Sequence, residues 1–104
     1  PSEALFERLA KQNPDRLVRM LKSALEPGHL THAAEIAGRE LPSAVVVSAL
    51  LDLLGHSSPL VREGAVYGLS AHDGDDIAAR LRNLAESDPS PGVRTAAREV
   101  LGAR

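Results

Sequence analysis

The sequence has no cysteine and very few aromatic residues, and both absences restrict what the chain can be. Its 104 residues include one phenylalanine, one tyrosine and no tryptophan. Without cysteine the chain has no disulfide, no thiolate nucleophile and no cysteine-based zinc site. Alanine and leucine carry most of the apolar content instead. This composition favours closely packed helices over a sheet, because strands favour aromatic and β-branched residues.

Long apolar runs and a large net charge are also missing. No run approaches the roughly 18–20 apolar residues that cross a bilayer, and the N-terminus lacks the basic-then-apolar pattern of a secretion signal. We therefore expect no membrane partner and a cytoplasmic location. The formal net charge of −2 disfavours a dedicated nucleic-acid binder, because such proteins usually have a basic excess.

Proline and glycine divide the chain into segments of helical length, and three of these segments repeat one pattern. In 92–103, apolar or small residues recur at the i, i+3, i+4, i+7, i+8 spacing of one helix face, at Val93, Ala96, Ala97, Val100 and Leu101. The same stripe appears in 60–71 and 29–38. Its central residues are small enough to let another helix approach closely.

Each striped segment follows another with a broader apolar face, so the repeating unit is a pair of helices. Ser43 and Asp75 are the expected N-caps of two of the first helices. Self-similarity at about 30 residues is typical of a solenoid. We therefore expect one domain, 1–104. It has an extra N-terminal helix at about 2–11 and three repeats at about 14–40, 42–71 and 74–103.

Two stretches share a motif as well as a period. They are "HSSPLVREGAVYGL" at 56–69 and "DPSPGVRTAAREVL" at 88–101. Both have a turn ending in proline, then Val-Arg, then a pair of small residues, and a closing leucine. They resemble HEAT repeats of the short bacterial type. The resemblance implies an all-α fold, a right-handed α-α superhelix (solenoid) of about three helix pairs.

The resemblance also assigns structural roles to polar residues. It implies a hydrogen-bonded ladder between repeats, formed by Arg62, Asp88 and Arg94. In the middle copy His56 replaces the turn aspartate, and in the first copy Thr31 replaces the arginine. The histidine weakens the ladder expected in the middle copy, and the first copy is assigned by its spacing only.

The sequence offers few residues for chemistry. The histidines are His29, His32, His56 and His72, and His32 with Glu35 lacks an evident third ligand. In "HDGDD" at 72–76, the twelfth position counted from Asp73 is Leu84, which cannot close a calcium loop. Nucleophile elbows, phosphate loops and dinucleotide fingerprints are missing. We expect no catalytic residue, no metal and no cofactor, and therefore no enzyme.

The resemblance places the second helices of the repeats on one face, where a partner would bind. The predicted partner-binding residues are Glu35, Arg39, Glu63, Val66, Tyr67, Thr95, Arg98 and Glu99. Their mixed charge favours a protein or peptide over a polyanion. Two interpretations of Tyr67 remain open: an interface anchor, or a side chain packed over the edge of the next helix pair.

The predicted function is a non-catalytic scaffold or adaptor for a protein or peptide. One alternative is a weak nucleic-acid binder that uses the C-terminal arginines, Arg80, Arg82, Arg94, Arg98 and Arg104. Another is an accessory or regulatory subunit of an enzyme. The last helix has no closing helix in the sequence, which predicts either further repeats or end-to-end self-association.

Overall fold

The structure, a computed structural model, describes residues 3–104 and is helical throughout that part of the chain. Within it, seven α-helices and a 3₁₀ turn at Leu69–Ala71 are present, without a strand. The helices are α1 Glu3–Gln12, α2 Pro14–Leu21, α3 Pro27–Glu40, α4 Ser43–Leu53, α5 Pro59–Gly68, α6 Asp75–Ser87 and α7 Pro91–Gly102. The predicted all-α fold is confirmed. Ser2, the expected start of the first helix, lies outside the described residues.

Proline begins four of the helices, α2, α3, α5 and α7. Its fixed φ suits the first turn, where its missing N–H leaves no bond unmade. The N-caps expected at Ser43 and Asp75 are wrong by one residue, because these are the first helical residues and the caps are Pro42 and Gly74. The Ser43 hydroxyl is hydrogen-bonded to His72 instead. Gly74 has a φ of 157°, which a residue with a side chain rarely adopts.

The helices form two rows. In one row α1 packs against α3, α3 against α5 and α5 against α7, while α2, α4 and α6 lie behind them. The α1 helix covers the side of α3 that faces away from α5 and buries Phe6 and Leu9. This stacking, 37 × 25 × 18 Å in extent, confirms the predicted helical-repeat solenoid. Among residues 3–104, every helix falls short of the length and apolarity needed to cross a membrane.

The helices of the row formed by α2, α4 and α6 do not all pack against each other equally closely. The α2 and α4 helices pack together, whereas few Cα atoms of α4 and α6 come within 8 Å of each other. The α6 helix packs mainly against α7. A shallow gap therefore separates α4 from the start of α6.

The closest helix contact joins α3 to α5 and is made by glycine backbone. A Cβ on Gly38 would collide with the backbone of Gly68, and a Cβ on Gly64 would collide with Thr31. A Cβ on Gly68 would lie 2.6 Å from the carbonyl oxygen of Ala34. The small residues that the sequence places at the centre of the stripe therefore let two helix backbones touch.

We predict that Gly38→Ala lowers the free energy of unfolding by about 3 kcal/mol, because the added methyl meets immobile backbone. The matched control is Gly28→Ala in the same helix, where a Cβ would meet nothing within 4 Å. That variant should gain about 0.5 kcal/mol from the lower backbone entropy of alanine. Urea denaturation followed by circular dichroism measures both changes. Equal stability of the two variants would show that α3 and α5 are farther apart.

Candidate functional site

A buried ion pair joins the second and third helix pairs. The Arg62 guanidinium donates from Nε to Asp88 Oδ2 at 2.9 Å and from Nη2 to Oδ1 at 3.0 Å. Their side chains are only 12% and 3% exposed. The Ser90 N–H also donates to Asp88 Oδ1, and Arg94 Nη1 donates to the Asp88 carbonyl at 2.7 Å. The structure thus brings Arg62, Asp88 and Arg94 together: Arg62 reaches Asp88 from α5, and Arg94 bonds to it from the adjoining α7.

His56 and Thr31 stand where the motif has an aspartate and an arginine, and they keep part of this arrangement. His56 Nδ1 accepts the Ser58 N–H at 2.9 Å, as Asp88 accepts the Ser90 N–H in the next repeat. The His56 carbonyl accepts from Arg62 Nη1. At the first junction the Thr31 hydroxyl donates to the Leu60 carbonyl at 2.9 Å. A short hydroxyl therefore bridges the junction where the helices are closest.

The environment of Asp88 favours its charged form. Burial alone would raise the pKa of this carboxyl group, but the hydrogen bonds from Arg62 and Ser90 and the charges of Arg62 and Arg94 outweigh burial. The pKa of Asp88 consequently lies below its ordinary value of 3.8. The ion pair is therefore formed at neutral pH.

Tyr67 lies on the second-helix face, which we define as the outward surface of α3, α5 and α7. Its hydroxyl donates to Glu99 Oε2 at 2.7 Å, so the side chain crosses from α5 to α7. The residue is still 38% exposed. The hydrogen bond to Glu99, followed by burial and the charges of Glu99, Glu63 and Glu35, raises the pKa of Tyr67 to about 12. Both interpretations of Tyr67 fit this position, since it packs across the junction and remains open to solvent.

Carboxylates on α3, α5 and α7 act on Tyr67: those of Glu35, Glu63 and Glu99. Burial, and after it the charge of Glu3, raise the pKa of Glu35, while His32 and Arg39 act to lower it. The Glu63 carboxylate lies beside the first turn of α7, where a Cβ on Gly92 would be 3.0 Å from its Oε2. The positive end of the α7 dipole stabilises that charge.

Basic and neutral side chains complete the second-helix face. Arg39 Nη2 lies 3.5 Å from Glu7 Oε1, and its Nε lies 3.4 Å from Glu40. Thr95 and Arg98 are exposed on α7. Neither makes a side-chain hydrogen bond or ion pair with another residue of 3–104. The face therefore carries both signs of charge around a tyrosine.

Val66 does not belong to this face. We expected it to lie beside Tyr67, but it is 0% exposed. The reason is that α5 contacts α3, α4 and α7, so helices enclose it on several sides. Only a narrow strip of α5, which includes Tyr67, remains open to solvent.

Three of the four histidines, His32, His56 and His72, make side-chain contacts with the described residues. His72 is buried: its Nε2–H donates to the Gly38 carbonyl at 2.7 Å, and its Nδ1 is hydrogen-bonded to the Ser43 hydroxyl at 2.6 Å. His32 Nδ1 lies 3.2 Å from Glu3 Oε1. Within residues 3–104, no group of three or more acidic or histidine side chains is arranged to hold a metal ion.

Three of the five C-terminal arginines make hydrogen bonds with other residues of the chain. Arg94 donates to the Asp88 carbonyl, and Arg80 lies 3.4 Å from the Leu51 carbonyl. Arg104 donates to the Leu69 and His72 carbonyls and pairs with Asp73. Arg82 and Arg98 alone in this set make no such contact with the described residues. This weighs against the predicted nucleic-acid alternative, since polyanion binding needs several free cations on one surface.

A family model of HEAT repeats matches residues 2–102. No curated protein and no solved structure matches the chain.

We predict that Asp88→Asn lowers the free energy of unfolding by about 3 kcal/mol at neutral pH, because it leaves the Arg62 charge buried without a counterion. The folded pKa of Asp88 is below 3.8, so the contribution of the ion pair is complete above that pH. It is lost as the pH falls through the folded pKa. The difference between the variant and the wild type should therefore shrink in acid. Urea denaturation at neutral and acid pH measures it.

The control for this experiment is Asp73→Asn, which removes an ion pair whose carboxylate is 100% exposed. Water screens such a pair, so we expect little change in stability. A wild-type-like Asp88→Asn would contradict the role of the buried ion pair.

The single tyrosine allows a direct test of the Tyr67–Glu99 hydrogen bond. With no tryptophan in the chain, the ultraviolet absorbance of the phenolate reports Tyr67 alone. We expect ionisation near a pKa of about 12, and Glu99→Gln should move it back towards 10.0. Glu86→Gln is the matched control and should leave the titration unchanged. Circular dichroism should confirm that the chain stays folded, and an ordinary wild-type pKa would refute the bond.

Proposed function

The chain belongs to the HEAT-repeat family, and from that premise we propose that it is a non-catalytic scaffold or adaptor. Its partner is a protein or peptide, and the second-helix face binds it. Proteins of this family commonly serve as interaction scaffolds rather than catalysts. We further propose that the repeats are the pairs α2–α3, α4–α5 and α6–α7, preceded by α1.

The observation that carries the proposal is the position of Tyr67. It lies on the middle helix of the face, is partly exposed, and is held by Glu99 of the neighbouring helix. Tyrosine is enriched among residues that dominate binding energy, because its ring buries much area while its hydroxyl remains hydrogen-bonded. A ring already fixed by a hydrogen bond loses little conformational entropy when a partner covers it.

The charges around Tyr67 support a protein partner over a polyanion. Glu35, Glu63 and Glu99 would repel phosphate groups, whereas Arg39 and Arg98 offer the opposite sign on the same face. Protein interfaces commonly match such mixed patterns with complementary charges. An enzyme with this chain as its accessory subunit is one kind of partner that the proposal includes.

The test is capture of partners from the native cell extract with the full chain and with Tyr67→Ala/Arg98→Glu. A matched control, Val45→Ala/Arg82→Glu, makes the same change in charge and truncates another exposed apolar residue away from the second-helix face. Circular dichroism should first show equal helicity. Proteins lost only with the first variant are then purified and titrated directly. We expect the affinity to fall about tenfold or more with that variant and to be retained in the control.

Two results would contradict the proposal. One is equal binding by both variants, which would place the contact elsewhere. The other is a preference for duplex DNA with an affinity that falls steeply as salt rises, since such a slope reports phosphate contacts. A mixed-charge protein interface should depend on salt far less.

A further inference from the structure

The gap between α4 and α6 forms a groove on the opposite row of helices. Its volume is about 310 Å³, and it is lined by Val47, Leu51, Ile77 and residues 73–76, which form the turn before α6 and its first two residues. The floor is apolar: Ile77 is buried, and Val47 and Leu51 are half-buried. Exposed carboxylates form the rim. The groove exists because α4 and α6 are not packed closely against each other.

The rim carries two carboxylates without a cationic side-chain partner, in the first turn of α6. Asp73 pairs with Arg104, but the carboxylates of Asp75 and Asp76 make no hydrogen bond or ion pair with the side chains of residues 3–104. The nearby cations are occupied: Arg80 donates to the Leu51 carbonyl, and Arg104 donates to two carbonyls besides Asp73. An occupant that combines an apolar group with adjacent positive charge would match both parts of the groove.

We propose that this groove binds a short basic peptide segment of a partner protein. One or two aliphatic side chains of the segment insert between α4 and α6, and flanking lysines or arginines pair with Asp75 and Asp76. The volume lies at the lower end of ligand pockets, roughly 300–1,000 Å³, which suits a few side chains rather than a folded surface. This surface is separate from the second-helix face and does not depend on the function proposed above.

A second copy of this chain is a poorer match than a separate basic peptide. The outward surfaces of α1, of α2 and of the residue after α2 carry exposed cations, at Arg8, Lys11, Arg16, Arg19 and Lys22. Among the described residues, however, the large exposed apolar side chains are Val45, Leu60 and Tyr67, none of them on those two helices. This basic surface of a second copy would therefore bring positive charge without a large exposed side chain to fill the apolar floor.

The test uses a labelled probe, the hexapeptide Lys-Lys-Leu-Leu-Lys-Lys, titrated into the full chain at low ionic strength. Two comparison peptides replace the leucines by serine or the lysines by glutamate. We expect only the first peptide to bind, with backbone amide NMR signals shifting at Leu51, Gly74 and Ile77. Asp75→Asn/Asp76→Asn should weaken binding about fivefold. The matched control, Asp15→Asn/Glu86→Gln, removes the same charge from other exposed positions and should retain full affinity.

Every other result would overturn the proposal. Equal binding of the serine peptide would mean that the apolar floor is not used, and equal weakening by the control would reduce the effect to net charge. Signal shifts confined to α3, α5 and α7 would place the peptide on the second-helix face. Shifts in the groove that grow with protein concentration in the absence of peptide would identify a second copy as the occupant.

Discussion

The backbone contact between α3 and α5 is the constraint on which the rest of the structure depends. Gly38 and Gly68 face each other without side chains between them, and Gly64 lies against Thr31. Only at this separation can the short Thr31 hydroxyl reach the Leu60 carbonyl. The same approach places the end of α3 within reach of His72. The absence of three side chains thus fixes the positions of several polar bonds.

The next junction, between the second and third helix pairs, uses longer side chains. Arg62 extends across it to Asp88, and Tyr67 crosses it to Glu99. At each junction the length of the bridging side chain therefore matches the distance between the helices. At the first junction, glycines bring the helices close and a short hydroxyl bridges them. At the second, a guanidinium and a phenol bridge helices that lie farther apart. An arginine in place of Thr31 would have no room where Gly64 touches it. The departures of the first copy from the motif follow from this geometry.

Periodicity in the sequence predicts the helices, their pairing and the small-residue contact, because each depends on spacing along one helix. The prediction that Val66 is exposed was wrong, because the apolar stripe of one helix does not show that three other helices enclose α5. Periodicity did not anticipate that His72 would be buried, because that contact depends on the path after the 3₁₀ turn. The groove beside Ile77 depends on how far α4 lies from α6, and no local pattern encodes that distance.

Two carbonyls near the ends of α3 and α5 accept hydrogen bonds from side chains much later in the chain. The Gly38 carbonyl near the end of α3 is bonded by His72, and the Leu69 carbonyl after α5 is bonded by Arg104. During synthesis on the ribosome, each of these carbonyls is made more than thirty residues before its partner. The Leu69 carbonyl meanwhile accepts the nearby His72 N–H, but the end of α3 stays hydrated and free to fray until His72 has been synthesised. Completion of α3 is in this sense delayed until the chain has been translated as far as His72.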